Sequence, residues 1–317
     1  MTTELAGRMA QLVAEGTDRL PAPGAGDTLG RWRALAAVAA EDLALAKVFE
    51  GHTDALAILA ELAGPVPEPA TVWATWAAEP PTARLRVEGV GDRVRLTGRK
   101  AWCSGAEFVS HAVLTGWNDG GEQCLVAVAL AQPSVQITTE GWHAVGMGRV
   151  PSGDVLFDGA AGTLVGCPGD YLARAGFWHG GAGIAACWYG GAVPFATALA
   201  AKVAANPDPH NAAHLGAVEV ALGTARAALR QAADWIDSRP AEDAQAVTLA
   251  TRGAIEASVE AVLRHAGRAL GAGPLCRDQA LAQRFADLPV FVRQSHAERD
   301  LAELGLLVAA GKDDWLL

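Results

Sequence analysis

The chain has 317 residues, 51% hydrophobic and 19% charged, with a formal net charge of −10. That length buries a large core, and the acidic balance excludes nucleic acid as a partner, because neutralising phosphates takes clustered Lys and Arg. No block of like charge offers a polybasic membrane patch.

The N-terminal MTTELAGRMAQ carries charge early and lacks an apolar run, so no signal peptide is expected. Residues 28–63 repeat apolar positions every three or four residues and predict a helix, with Asp27 or Thr28 as N-cap and Gly64-Pro65 as the stop. PVPEPATVW then reads as a Pro-rich linker. Between about 71 and 165 the runs RLRVEG, DRVRLTG, HAVLTGW, CLVAVAL, VQITTEG and SGDVLFDG alternate apolar and polar residues between Gly-containing turns. They predict strands of a small barrel or of two packed sheets. After GCPGDYL a helical period returns over 180–205, 210–238, 242–270 and 277–311, broken at Asn206-Pro207-Asp208-Pro209 and Ser238-Arg239-Pro240. Four long helices with short connections predict a bundle.

Ala175 to Ala201 holds no Asp, Glu, Lys or Arg and could span a bilayer by length alone. It is mostly Gly and Ala and carries Pro194 and His179, so a buried core helix is expected and no membrane span. The fold class is therefore α+β: a short N-terminal helical region (1–68), a β-domain (69–172) and a C-terminal four-helix bundle (173–317). Five scattered cysteines (Cys103, Cys124, Cys167, Cys187 and Cys276) include no CxxC, so neither zinc nor a disulfide framework is expected. A cytoplasmic setting fits them.

Two β-domain segments carry a resemblance. LTGRKAWCSGA (Leu96 to Ala106) resembles a strand–turn of the acyl-CoA dehydrogenases, a Gly-x-Lys-x-Trp followed by a small hydroxyl residue. GMGRVPSGDVLFDG (Gly146 to Gly159) resembles that family's segment closing the β-domain. The late stretch ALGAGPLCRDQALAQRFADLPVFVRQSHAERDL is similar to its last bundle helices, and the likeness covers roughly residues 30–310. The resemblance implies FAD as cofactor, with Trp102 and Ser104 against the flavin ring and Trp73 and Thr75 on the first flavin-contacting strand. Gly271 and Gly273 would form the Gly-rich loop that approaches a neighbouring subunit's flavin. It further implies a homodimer or homotetramer and a small-molecule substrate, acyl-CoA among the candidates.

The same resemblance exposes departures. The family's catalytic Glu falls where FVRQSHAERD places Arg293, with Gln294 and Ser295 beside it, and an arginine cannot act as a base near neutral pH. The other position that relatives use corresponds to GFWHGGAGI, which also lacks a carboxylate. His179 and His296 are the candidate replacement bases; a histidine at a helix N-terminus has its pKa lowered, which suits a neutral base. The family's diphosphate-binding Arg is missing from ANPDPHNAAHLG, where His210, Arg264 and above all Arg268 (at the family's Gln) are the candidates to compensate. Three readings follow: an FAD-dependent oxidoreductase of acyl thioesters or related substrates with an unusual base, a flavin-dependent oxygenase or oxidase, or a non-catalytic descendant.

Overall fold

The computed structural model describes residues 2–311. Three helices open the chain: α1 (Thr2–Ala14), α2 (Thr28–Glu41) and α3 (Leu43–Glu61). Asp27 is the N-cap of α2, its carboxylate accepting the Gly30 N–H at 3.0 Å. That answers one of the donors a helix start leaves unpaired. The single helix expected over 28–63 is two helices, because Asp42 is extended (φ −158°, ψ 124°) and ends α2. The apolar period continues across the break, so nothing in the residue pattern marks it.

The strands are β1 (Trp73–Trp76), β2 (Leu85–Val90), β3 (Arg93–Ser104), β4 (His111–Trp117), β5 (Gln123–Ala129), β6 (Val135–Ile137) and β7 (Ser152–Leu164). Five of them close on themselves in the order β4-β2-β3-β7-β5 and back to β4. The architecture is thus the small barrel rather than two separate sheets. Closure removes the unpaired edges that an open sheet would present. β1 and β2 share one edge of β4, at Trp73↔His111 and Arg86↔Trp117, while β6 covers β7 from Val155 to Phe157.

After the barrel come the short α4 (Asp170–Ala173) and α5 (Gly176–Gly181), then the long α6 (Gly183–Ala205), α7 (Pro209–Ser238) and α8 (Gln245–Leu270). The chain ends with α9 (Ala272–Arg277), α10 (Gln279–Val292) and α11 (Glu298–Ala310), so the last expected helix (277–311) is two pieces, with the short α9 ahead of them. Asp278 separates α9 from α10, and Ala297, before α11, has a left-handed φ of +47°.

The chain divides into two compact units. One holds the chain up to Leu20, Ala44–Ala144 and Gly148–Phe177; the other holds Pro21–Leu43, Val145–Met147 and the chain from Trp178 onward. In the first, Ala55, Ile58 and Leu59 of α3 pack with Trp73, Val113, Leu125 and Val165. A buried polar chain runs through this unit. His52 Nδ1 accepts the Trp73 backbone N–H at 3.0 Å, and Nε2 lies 3.1 Å from Asp18. Burial lowers the pKa of His52 below its usual 6.5, with Asp18 opposing the shift. A protonated Nδ1 could no longer accept from Trp73. As pH falls, the unfolded chain takes the proton first, so this unit loses stability from about pH 6.5 downward. Urea midpoints are expected to drop between pH 7.5 and 5, and the drop is expected to be smaller in His52→Gln.

The helical stretch Gly176–Ala205, most of it α6, is long and apolar enough, by length and composition, to cross a membrane. It serves instead as the central core helix, with Ile184, Cys187, Trp188, Phe195 and Leu199 buried. Close approach explains its glycines: a Cβ on Gly190 would overlap the backbone carbonyl of Ala36 in α2. Gly190→Ala is expected to destabilise the chain by about 2 kcal/mol, read as a lower urea midpoint at unchanged slope.

Candidate functional site

β3 and β7 pair as far as Lys100↔Val155, with one earlier shift between Leu96 and Thr97, and again from Cys103↔Gly153. Ala101 and Trp102 therefore face a single partner, which is a β-bulge. Trp102 adopts φ +60° there and is 57% exposed. A bulky residue in that region carries strain of order 1 kcal/mol or more, and such outliers gather at functional sites. Beside it, Ser104 Oγ and Ser152 Oγ share a hydrogen bond of 2.6 Å, and the Ser104 carbonyl accepts from Trp76 Nε1 at 3.1 Å. Burial pushes the Cys103 thiol up, so it stays protonated and is no nucleophile.

The bulge is held from beneath. Lys100, 2% exposed, donates to Glu79 at 2.6 Å and contacts the Thr115 hydroxyl at 2.7 Å. Glu79 also accepts from Thr115 and, at 2.9 Å, from Trp117 Nε1. Burial lowers the pKa of Lys100, and Glu79 opposes that shift. On the outer side, Trp142 stands edge-to-face against Trp102, with ring centroids 6.4 Å apart and planes at 83°. Neither Glu79 nor Trp142 was among the candidates from sequence; each lies about twenty residues or more from the motif it supports, and no local signal connects them.

Trp73 and Thr75 are placed differently. Trp73 is a core side chain, 4% exposed and stacked on His111 with centroids 4.6 Å apart. The Thr75 hydroxyl donates to the Gly51 carbonyl at 3.0 Å, fixing β1 to α3. Trp73 and His111 also line a cavity of about 860 Å³ with Arg93 and Arg95, which includes neither Trp102 nor Ser104.

In the helical unit, His179 is not at the start of a long helix. It lies in the last turn of the six-residue α5, 2% exposed, against Gly24, whose φ is +72° and where a Cβ would overlap the imidazole. His296 is outward, its Nδ1 3.2 Å from Asp300. The segments ahead of α6 and after α10 converge on Arg252, a residue that no sequence motif singles out. Its guanidinium donates to the Gly181 carbonyl at 3.1 Å and the Gln294 carbonyl at 3.4 Å, and lies 5.4 Å over the Trp188 ring. Arg293 pairs with Glu256 at 2.8 Å and Glu260 at 2.7 Å. Glu256, Glu260 and Asp300 are thus held by guanidinium groups. Arg268 is exposed near the end of α8, Gly271 caps that helix with φ +70°, and Gly273 lies in α9; a Cβ on either glycine meets nothing within 4 Å.

No family model and no curated protein matches the chain. Solved structures do. Butyryl-CoA dehydrogenase from Megasphaera elsdenii superposes with a TM-score of 0.81 at 14% identity, over 95% of this chain and 89% of that one. The fold is that of the acyl-CoA dehydrogenases. Dibenzothiophene monooxygenase (TdsC) from Paenibacillus sp. A11-2 shares this acyl-CoA dehydrogenase fold, at 18% identity and TM-score 0.75 over 96% of this chain and 95% of its own. KijD3, solved with FMN and a dTDP-linked sugar, matches at 18% identity and TM-score 0.81 over 96% and 86%.

Proposed function

We propose that this chain is a flavin-dependent oxidoreductase that holds its flavin ring against Trp102 and works without a carboxylate base, as an oxygenase. The observation that carries the reading is Trp102: an indole kept exposed, in a strained conformation, beside a pair of serine hydroxyls. These residues fit a flavin, which needs an aromatic wall and hydrogen-bond donors at its polar edge. A bound flavin supplies two-electron transfer and, when reduced, reactivity toward oxygen. Trp102 would hold one face of the ring, and the Ser104–Ser152 pair would offer a hydroxyl proton to its edge.

The oxygenase reading draws on the bundle. A dehydrogenase must take an α-proton with a base in reach of the substrate. Here His179 is packed against Gly24, His296 turns to Asp300, Arg252 ties the Gly181 and Gln294 carbonyls together, and Arg293 is paired with Glu256 and Glu260. TdsC, a monooxygenase by name and solved with FMN and indole, supports the same direction. Dehydrogenation of an acyl-CoA, with FAD, is the second reading; it rests on the likeness to butyryl-CoA dehydrogenase. Self-association through the helical unit belongs to the proposal, supported by the exposed Val220, Leu301 and Leu306. A reducing, cytoplasmic setting is supported by five cysteines that form no disulfide with one another.

The test is the absorption spectrum of natively purified protein, repeated after incubation with FMN or FAD and gel filtration. Retained bands near about 370 and about 450 nm that butyryl-CoA does not bleach anaerobically are the expected result. Bleaching would transfer the assignment to the dehydrogenase reading. Retention of neither flavin would overturn both.

A further inference from the structure

We infer that Trp142 is a second flavin-contacting residue, whose indole N–H donates to the polar edge of the ring held against Trp102. The inference rests on the flavin reading and extends it to a residue outside the motif. Trp142 Nε1 is buried and has no acceptor among the described residues. Buried donors almost always find partners, so one left over calls for an explanation. Trp32 and Trp188 also bury an unmatched indole N–H, but they are 2% and 0% exposed and lie within the core of the helical unit. Among the described residues, only Trp142 combines such an N–H with a ring contact to a solvent-facing aromatic, Trp102.

The backbone fixes this corner. Gly153 pairs with Cys103, the residue after Trp102, and a Cβ on Gly153 would overlap the Thr138 carbonyl. The loop after β6 therefore lies directly on the strand opposite the bulge. The Thr138 backbone N–H donates to the Asp154 carbonyl at 2.9 Å, and the Trp142 backbone N–H turns back to the Thr139 carbonyl at 3.1 Å. The indole is thus carried by a segment anchored at the bulge, and its ring stands at right angles to the wall. A planar heteroaromatic laid on Trp102 would meet that ring at its edge, where flavins carry their carbonyl and imino acceptors. Such an acceptor would satisfy the stranded donor.

Trp142→Phe keeps an aromatic ring but removes the donor together with part of the ring area. Flavin affinity is measured by quenching of FMN and FAD fluorescence, and the melting temperature is measured without flavin. The expected result is affinity weakened about tenfold, the scale of one hydrogen bond in a dry site, with apoprotein melting unchanged or raised because an unmet donor is gone. A purely structural role gives the opposite pattern: lower melting and unchanged affinity, which overturns the proposal. Trp142→His, which keeps a ring N–H, guards against a packing defect; it is expected to bind more tightly than Trp142→Phe, and equal binding by the two also overturns it. If wild-type protein retains no flavin, the flavin reading itself fails, and this one with it. If wild type and Trp142→Phe bind alike, only the role of Trp142 fails.

Discussion

Replacing Trp102 by alanine is expected to weaken flavin binding roughly 30-fold, the equivalent of about 2 kcal/mol. Stacking of a flat heteroaromatic on an indole contributes about 1–3 kcal/mol by alanine substitution. Trp102→Phe should fall between wild type and Trp102→Ala, since it keeps part of the wall. The backbone adds a second, opposite expectation. Because residue 102 sits at φ +60°, Trp102→Gly relieves strain that the indole imposes, by about 1 kcal/mol. The glycine variant is therefore expected to melt higher as apoprotein while losing flavin as fully as Trp102→Ala. Unchanged flavin affinity in all three variants would remove Trp102 from the site and leave its conformation a local feature of the bulge.

Glu79→Gln is expected to cost about 3 kcal/mol of stability. It strands Lys100, an ammonium only 2% exposed, and breaking one side of a buried pair typically costs 3–5 kcal/mol. The glutamine still offers one acceptor, which puts the expectation at the low end. Lys100 is already lowered by burial, and without Glu79 to oppose it the shift deepens. A folded-state value below the unfolded one means the unfolded chain binds more protons in that window. The variant's stability should therefore rise with pH until about 10.5, the ordinary lysine value, and urea unfolding between pH 7 and 9.5 would read that slope. Replacing both partners, as Glu79→Leu with Lys100→Met, is expected to recover most of the loss. Because Lys100 lies two residues before Trp102, Glu79→Gln should also weaken flavin retention, whereas the paired apolar variant should spare it.

The barrel was legible because β3 and β7 alternate buried with exposed residues, β4 and β5 are short apolar runs with buried middles, and Gly or Asp-Gly turns punctuate the runs. Strand limits expected from alternation lie within a few residues of those observed, except that β3 and β7 run on together through the bulge. The bulge itself was not legible, since a tryptophan at positive φ is dictated by what holds the strand from either side and not by its own preference. The break at Asp42 and the interruptions at Asp278 and Ala297 were hidden for a related reason. Each falls in a continuous helical period, and the residues there are all tolerated in helices. Of the site, Trp102 and Ser104 could be found because they share one short segment. Arg252, Glu79 and Trp142 act on residues distant in sequence, and pairing of that kind needs coordinates. Trp73 and Thr75 were drawn to the site by nearness in the pattern, yet their side chains tie β1 to the core.

The path of the chain through its two units has a bearing on how the protein can be cut. Residues 21–43, including Trp32 and Leu35 buried in α2, belong with the late helices, although more than a hundred residues of the other unit intervene before α6. The tripeptide Val145–Met147 makes the same detour, and Met147 N–H is held by buried Asp287 of α10. A fragment beginning at α6 would thus lack a helix it packs on, and a fragment ending before α6 would carry that helix with its apolar stripe uncovered. Neither piece is suited to expression alone. Insertions and circular permutation should be tolerated at surface turns within a unit, such as Asn118–Gly121, far better than a swap of whole halves.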